Sequence, residues 1–252
     1  MTNAFSKFGI EHLSPSSINQ FANAQALFVM SRVLKSKVGG VGPAAHRGTA
    51  VESAVAAGLK DPTASLASCV AVAMDQFNLL TALSPDTDKV AKEAASITGF
   101  VEQGLMALRP YGIPTSLQAP VSLTVPGLAV PIIGFADFVF PGGILVDLKT
   151  TAAIPSKISA AHARQVALYA AVVGGDAQPR LAYVSSKKSS VLGLENVEAH
   201  VKAITAVAMS IQRFLSLSDD AKVLAGLCAP DVDSFYYSDP ITRASTFEVF
   251  GV

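Results

Sequence analysis

The chain has little cysteine: Cys69 and Cys228 are the whole complement in 252 residues. They lie far apart and without metal-ligand spacing, which points to small core residues and away from a disulfide, zinc or iron–sulfur site. Net charge is lacking too, since 19 Lys and Arg balance 19 Asp and Glu. That balance argues against a protein that coats nucleic acid through bulk positive charge, while leaving room for a local basic channel. Half the residues are hydrophobic, but alanine carries much of that share. No run reaches the ~20 apolar residues of a membrane span. The polar N-terminal stretch lacks the charged-then-apolar pattern of a signal peptide, so a cytoplasmic protein without membrane attachment is expected. There is no repeat, low-complexity tract or clear linker, and one α/β domain over residues 1–252 is the simplest reading.

Periodicity divides that domain into a helical N-terminal part, about 14–110, a sheet core, about 115–190, and C-terminal helices over 195–252. Ser14-Pro15 reads as a helix start, with Ile18, Phe21, Ala22, Gln25 and Phe28 at helical spacing behind it. Helices follow at about His46–Gly58, Thr63–Ala82 and Thr87–Leu108, then at Ser156–Val173, Asn196–Leu217 and Asp219–Leu227. Strands are expected at about Leu117–Val125, Val130–Phe140, Ile144–Thr150 and Arg180–Ser185.

The most informative segment joins two of those strands. Val, Ile and Phe dominate both arms of Ile132–Lys149, with Pro141-Gly142-Gly143 between them, the pattern of a β-hairpin. Side chains alternate along a strand, so Leu145, Asp147 and Lys149 share a face, as do Phe135, Asp137 and Val139. A turn centred on Gly142 sets Asp137 opposite Asp147, and like charges so placed repel. A divalent cation would relieve that repulsion, since hard oxygen ligands suit Mg²⁺. Lys149, on the face of Asp147, could orient a water or neutralise charge at phosphorus. The competing reading is a solvated sheet face bearing ordinary carboxylates, against which stand the apolar flanks Ile144, Val146 and Leu148.

Other segments are weaker alone. Glu52 in Arg47-Gly48-Thr49-Ala50-Val51-Glu52 is by itself a routine helix charge. Gln165 and Tyr169, four apart, neighbour each other on one helix face. Arg32, Lys35 and Lys37, like Lys187 and Lys188, read as solvated faces, and Phe235-Tyr236-Tyr237 as core packing before a base-stacking platform.

Taken in order, the helix-borne Gly48-Thr49-x-x-Glu52, then Asp137, Asp147-x-Lys149 and Gln165-x-x-x-Tyr169 resemble the PD-(D/E)XK nuclease superfamily, in its RecB-like and phage lambda-exonuclease-like branches. Leu13-Ser14-Pro15-Ser16-Ser17-x-x-x-Phe21 is similar to the opening of RecB-family nuclease domains. Glu52 stands where many RecB-like members carry His, and Ala136 replaces the signature proline.

The resemblance implies a restriction-endonuclease-like core, a central mixed sheet flanked by helices in the order α-β-β-β-α-β. It implies Glu52, Asp137, Asp147 and the backbone carbonyl of Leu148 as metal ligands, and Lys149 as the residue that positions or activates water. Gln165 would organise the site or DNA, Tyr169 would support that helix face, and Arg47 would contact phosphate. Mg²⁺ would be the cofactor, with Mn²⁺ substituting, and the four-cysteine iron–sulfur cluster of some relatives has no counterpart among two cysteines. The implied activity is metal-dependent hydrolysis of linear DNA, by an exonuclease of replication, recombination or repair that could be phage-encoded and act in an infected bacterial cell. The implied partners are DNA, a recombination or single-strand-annealing protein, and further copies of the chain. The alternatives are a catalytically silent DNA-binding or assembly protein that keeps the nuclease fold, and a structural cation site in an unrelated enzyme.

Overall fold

A computed structural model describes residues 3–252. In chain order its helices are α1 (Pro15–Asn23), α2 (Gln25–Phe28), α3 (Pro43–Lys60), α4 (Leu66–Thr81), α5 (Thr87–Leu108), α6 (Ala160–Val173), α7 (Val197–Leu215), α8 (Ala221–Ala225) and α9 (Pro240–Phe250). The strands are β1 (Ser116–Leu123), β2 (Ile132–Val139), β3 (Ile144–Thr150), β4 (Gln178–Val184) and β5 (Ser189–Gly193). The chain forms two compact units, one of Val41–Val121 with Phe135–Val197, the other of the described residues up to Gly40 with Ser122–Gly134 and Glu198–Val252.

The larger unit is built on the sheet. Among the described residues the strands form one sheet in the order β1-β2-β3-β4-β5. β3 lies antiparallel to β2 and parallel to β4, and β4 antiparallel to β5. The parallel pair requires a crossover, which α6 supplies. One sheet face, with Phe138, Phe140, Val146, Leu148, Ala182 and Val184, packs on Ala50, Val51, Val55, Phe77, Phe100 and Val101 of the α3–α5 layer. These are the alternate strand positions, so the residues between them, Asp137 and Asp147 included, point the other way. The mixed sheet flanked by helices is the architecture expected from the sequence.

In the smaller unit, Ser14 caps α1 in a capping box with Ser17, and Pro15 takes the first turn, as the sequence indicates. The helix expected to continue to Phe28 breaks instead at Ala24 (φ −152°, ψ 66°). Ala26, Leu27, Phe28, Val29 and Met30 are all buried, more consecutive residues than one helix stripe can hide, and the chain redirects to bury them. Phe21 meets Phe28 and Phe214 edge-on, with ring centroids 5.3 Å and 5.6 Å apart. The aromatic triplet divides: Tyr237 is buried against Ala24 and Leu27, while Phe235 is exposed. β5 has no counterpart in the sequence reading, and α9 falls within the expected C-terminal helical stretch, where the sequence bounds no separate helix. The helix is rich in Ser, Thr and β-branched residues and the strand opens on Ser189-Ser190, so neither shows a clear period.

Candidate active site

The site is assembled on β3. Gly142 and Gly143 both sit at φ 74°, a left-handed pair that a turn this tight requires. The turn fixes the β2–β3 register at Phe138↔Val146 and Val139↔Leu145. Continued one step further, that register sets Asp137 opposite Asp147, the arrangement hairpin symmetry leads one to expect. The same register would set Leu148 opposite Ala136, yet the Leu148 N–H donates to Asp137 Oδ2 at 2.9 Å. A side-chain carboxylate thus takes the place of a ladder acceptor at this end of the sheet.

Each carboxylate has its own donors. Asp137 Oδ1 accepts from Gln118 Nε2 at 3.1 Å, and Gln118 Nε2 also donates to Glu52 Oε1. Asp147 is fully buried, and its Oδ1 accepts from Gln165 Nε2 at 3.1 Å. Gln165 Nε2 in turn reaches the Tyr169 hydroxyl at 3.0 Å, so the pair four residues apart on α6 acts together. Asp147 Oδ2 lies 2.7 Å from Lys149 Nζ and has no hydrogen-bond partner otherwise.

Glu52 comes from α3, whose Val51, Ala54 and Val55 are buried in the core below the sheet. At Gly48 a Cβ would stand 3.2 Å from Thr150 Oγ1, so glycine lets α3 close on the end of β3. Arg47 is buried within the helical layer, where it pairs with Glu93, donates to Thr150 Oγ1 at 3.3 Å and lies 4.1 Å over the Phe100 ring.

The electrostatics follow from burial and crowding. Burial, then the charge of Asp147, pushes Glu52 up to about 7, against the pull of Lys149 and Gln118. Burial, with Asp147 and Glu52 beside it, also holds Asp137 well above the usual carboxylate range. For Lys149 burial works against the charge, but Asp147 and Asp137 more than compensate and keep it cationic. Burial and Asp147 push Tyr169 up to about 12, so its hydroxyl stays protonated.

Two neighbours were not visible in the sequence. Gln118, on the edge strand β1, has no motif around it. His162 lies one turn into α6 from the Ser159 cap, and its Nδ1 is 2.8 Å from the Tyr183 hydroxyl. Tyr183 is the register partner of Lys149, and burial pulls the His162 pKa down.

Among the described residues no group of three or more His, Cys, Asp or Glu side chains stands in a ready metal-holding arrangement. Gln118 instead bridges Glu52 and Asp137, and Lys149 covers Asp147. The donor chemistry nonetheless fits a hard divalent ion: carboxylate oxygens that raise one another's proton affinity, with a buried Asp147 oxygen held by Lys149 alone.

A family model for the PD-(D/E)XK nuclease superfamily matches residues 12–230, and the chain belongs to that superfamily. Its members are generally divalent-metal dependent. The crystal structure of a "Putative exonuclease" from Eubacterium rectale is similar at a TM-score of 0.57 and 16% identity, over 88% of this chain and 84% of that chain, which shows a common fold. SSO0001, at 13% identity over 66% of this chain and 85% of that chain, has a TM-score of 0.36. No curated protein matches the chain.

Proposed function

We propose that this nuclease is a Mg²⁺-dependent deoxyribonuclease that degrades linear DNA from its ends, in recombination or repair. The observation that carries the reading is the convergence of Glu52, Asp137, Asp147 and Lys149 around one strand end, where three carboxylates crowd beside one cation.

Glu52, Asp137, Asp147 and the Leu148 carbonyl would hold the ion. When bound, Mg²⁺ supplies Lewis acidity toward a phosphodiester and lowers the pKa of water. The chain's own residues do the rest. Lys149 stays protonated, so it acts as a donor and counter-charge, orienting water and offsetting negative charge that builds at phosphorus, and not as a general base. Gln165 fixes the plane of the Asp147 carboxylate through its Oδ1, and the protonated Tyr169 hydroxyl holds Gln165 in turn. Asp137 is fixed by Leu148 and Gln118, so both strands present their carboxylates without rotamer search.

End-labelled linear duplex, linear single-stranded and closed circular DNA, incubated with Mg²⁺ or EDTA, test this reading beside a folded Lys149→Ala control. Mg²⁺-dependent loss of linear DNA that spares circles and vanishes in the control is expected. No cleavage of any substrate with Mg²⁺ or Mn²⁺ would overturn it.

A further inference from the structure

Gln118 has a backbone geometry unusual for a strand residue. It lies inside strand β1 with φ +47°, in the left-handed region that a non-glycine residue enters only at a cost. β1 is an edge strand and Gln118 is exposed, while its neighbour Leu117 packs on the core. What the twist achieves is direction. It aims a single carboxamide nitrogen at Glu52 Oε1 and at Asp137 Oδ1, 3.1 Å away. Glu52 and Asp137 sit on different elements, a helix and a strand, and Gln118 ties them together.

We propose that Gln118 is a positioning residue of the metal centre: its strained backbone holds the carboxamide so that Glu52 and Asp137 stay turned toward a common cation. The assignment rests on the metal-site reading above. Each carboxylate oxygen has a second lone pair, so an oxygen that accepts from Gln118 still has one to offer a metal ion. Partners of this kind, which fix ligands without touching the ion, typically set 10–100-fold of a site's affinity. The opposite reading is equally concrete. If the amide occupied the place of the ion, its removal would tighten binding.

The test is titration of Ca²⁺, a cation probe that needs no turnover, into the purified full chain by calorimetry, for wild type, Gln118→Gly and Gln118→Asn. Glycine adopts φ +47° freely and asparagine tolerates it, so both should fold, with melting temperatures close to wild type. Asparagine keeps the amide but shortens the reach. The expected result is a Ca²⁺ dissociation constant raised at least about tenfold in both variants, with the folded baseline unchanged. Unchanged or tighter binding would overturn the assignment, as would a loss of fold in both variants, which would make Gln118 structural. Wild type that binds neither Ca²⁺ nor Mn²⁺ would overturn the metal-site reading itself, and this assignment with it.

Discussion

Replacing Glu52 by Gln should stabilise the metal-free protein at neutral pH and leave it unaltered in acid. The folded state holds the Glu52 proton up to about pH 7, whereas the unfolded chain releases it near 4.5. Between those values the folded state binds more protons, so its stability falls as pH rises. A pKa unit is worth about 1.36 kcal/mol, which sets a ceiling of roughly 3 kcal/mol on this loss. Glu52 is only half-buried, and solvent screening brings the expected loss down to about 1–2 kcal/mol. For a chain of this size that is a difference of about 2–8 °C in melting temperature. His162 works in the opposite sense: its pKa is pulled below the usual 6.5, so its contribution to stability grows as pH rises through that region. Comparing wild type with Glu52→Gln cancels His162 and leaves the crowded carboxylates, Glu52 with the Asp137 whose pKa it helps to raise. Thermal melts in EDTA from pH 4.5 to 7.5 should coincide at the acid end and diverge toward neutrality, Glu52→Gln being the more stable. Saturating Ca²⁺ should remove that advantage by binding wild type more tightly. Parallel curves across the whole range would refute the crowding on which the site reading depends.

Asp147→Asn, which keeps the shape of a fully buried side chain, should preserve the fold yet abolish Mg²⁺-dependent cleavage, read by circular dichroism and the end-label assay. Glu93→Ala leaves the Arg47 guanidinium buried without its counter-ion and should cost about 3–5 kcal/mol in urea unfolding. Adding Arg47→Met should recover much of that loss; no recovery would mean that Arg47 contributes through Phe100 and Thr150 instead. Gly142→Ala, at φ 74° with open space around the site of its Cβ, should lower stability by only about 1 kcal/mol and leave Ca²⁺ binding intact.

The hairpin was legible because its information is local: a Pro-Gly-Gly turn fixes register, register fixes faces, and two aspartates equidistant from Gly142 must meet. Gln165 and Tyr169 were legible for the same reason, helical spacing being enough to pair them. Gln118 was not. Its role depends on a backbone conformation that the sequence does not announce and on a helix 66 residues away in the chain. Arg47 shows another limit, since nothing near it in sequence points to Glu93, 46 residues on, as the partner that takes its guanidinium. The break at Ala24 was hidden because the apolar spacing on either side of it is helical, and only burial of a continuous run required the chain to turn.

The bond from the Leu148 amide to Asp137 couples architecture to chemistry in a way that bears on how this chain can evolve. Lys149 could drift in a lineage that no longer needs hydrolysis only together with Asp147, whose buried Oδ2 it holds, and β3 would keep its ladder with β4 without either side chain. Asp137 could not drift so cheaply, since its loss would orphan a buried main-chain donor at the point where β2 and β3 part. A non-cleaving descendant should therefore lose Lys149 and Asp147 as a pair and retain Asp137 long afterwards, a fossil of catalysis kept by the needs of the sheet.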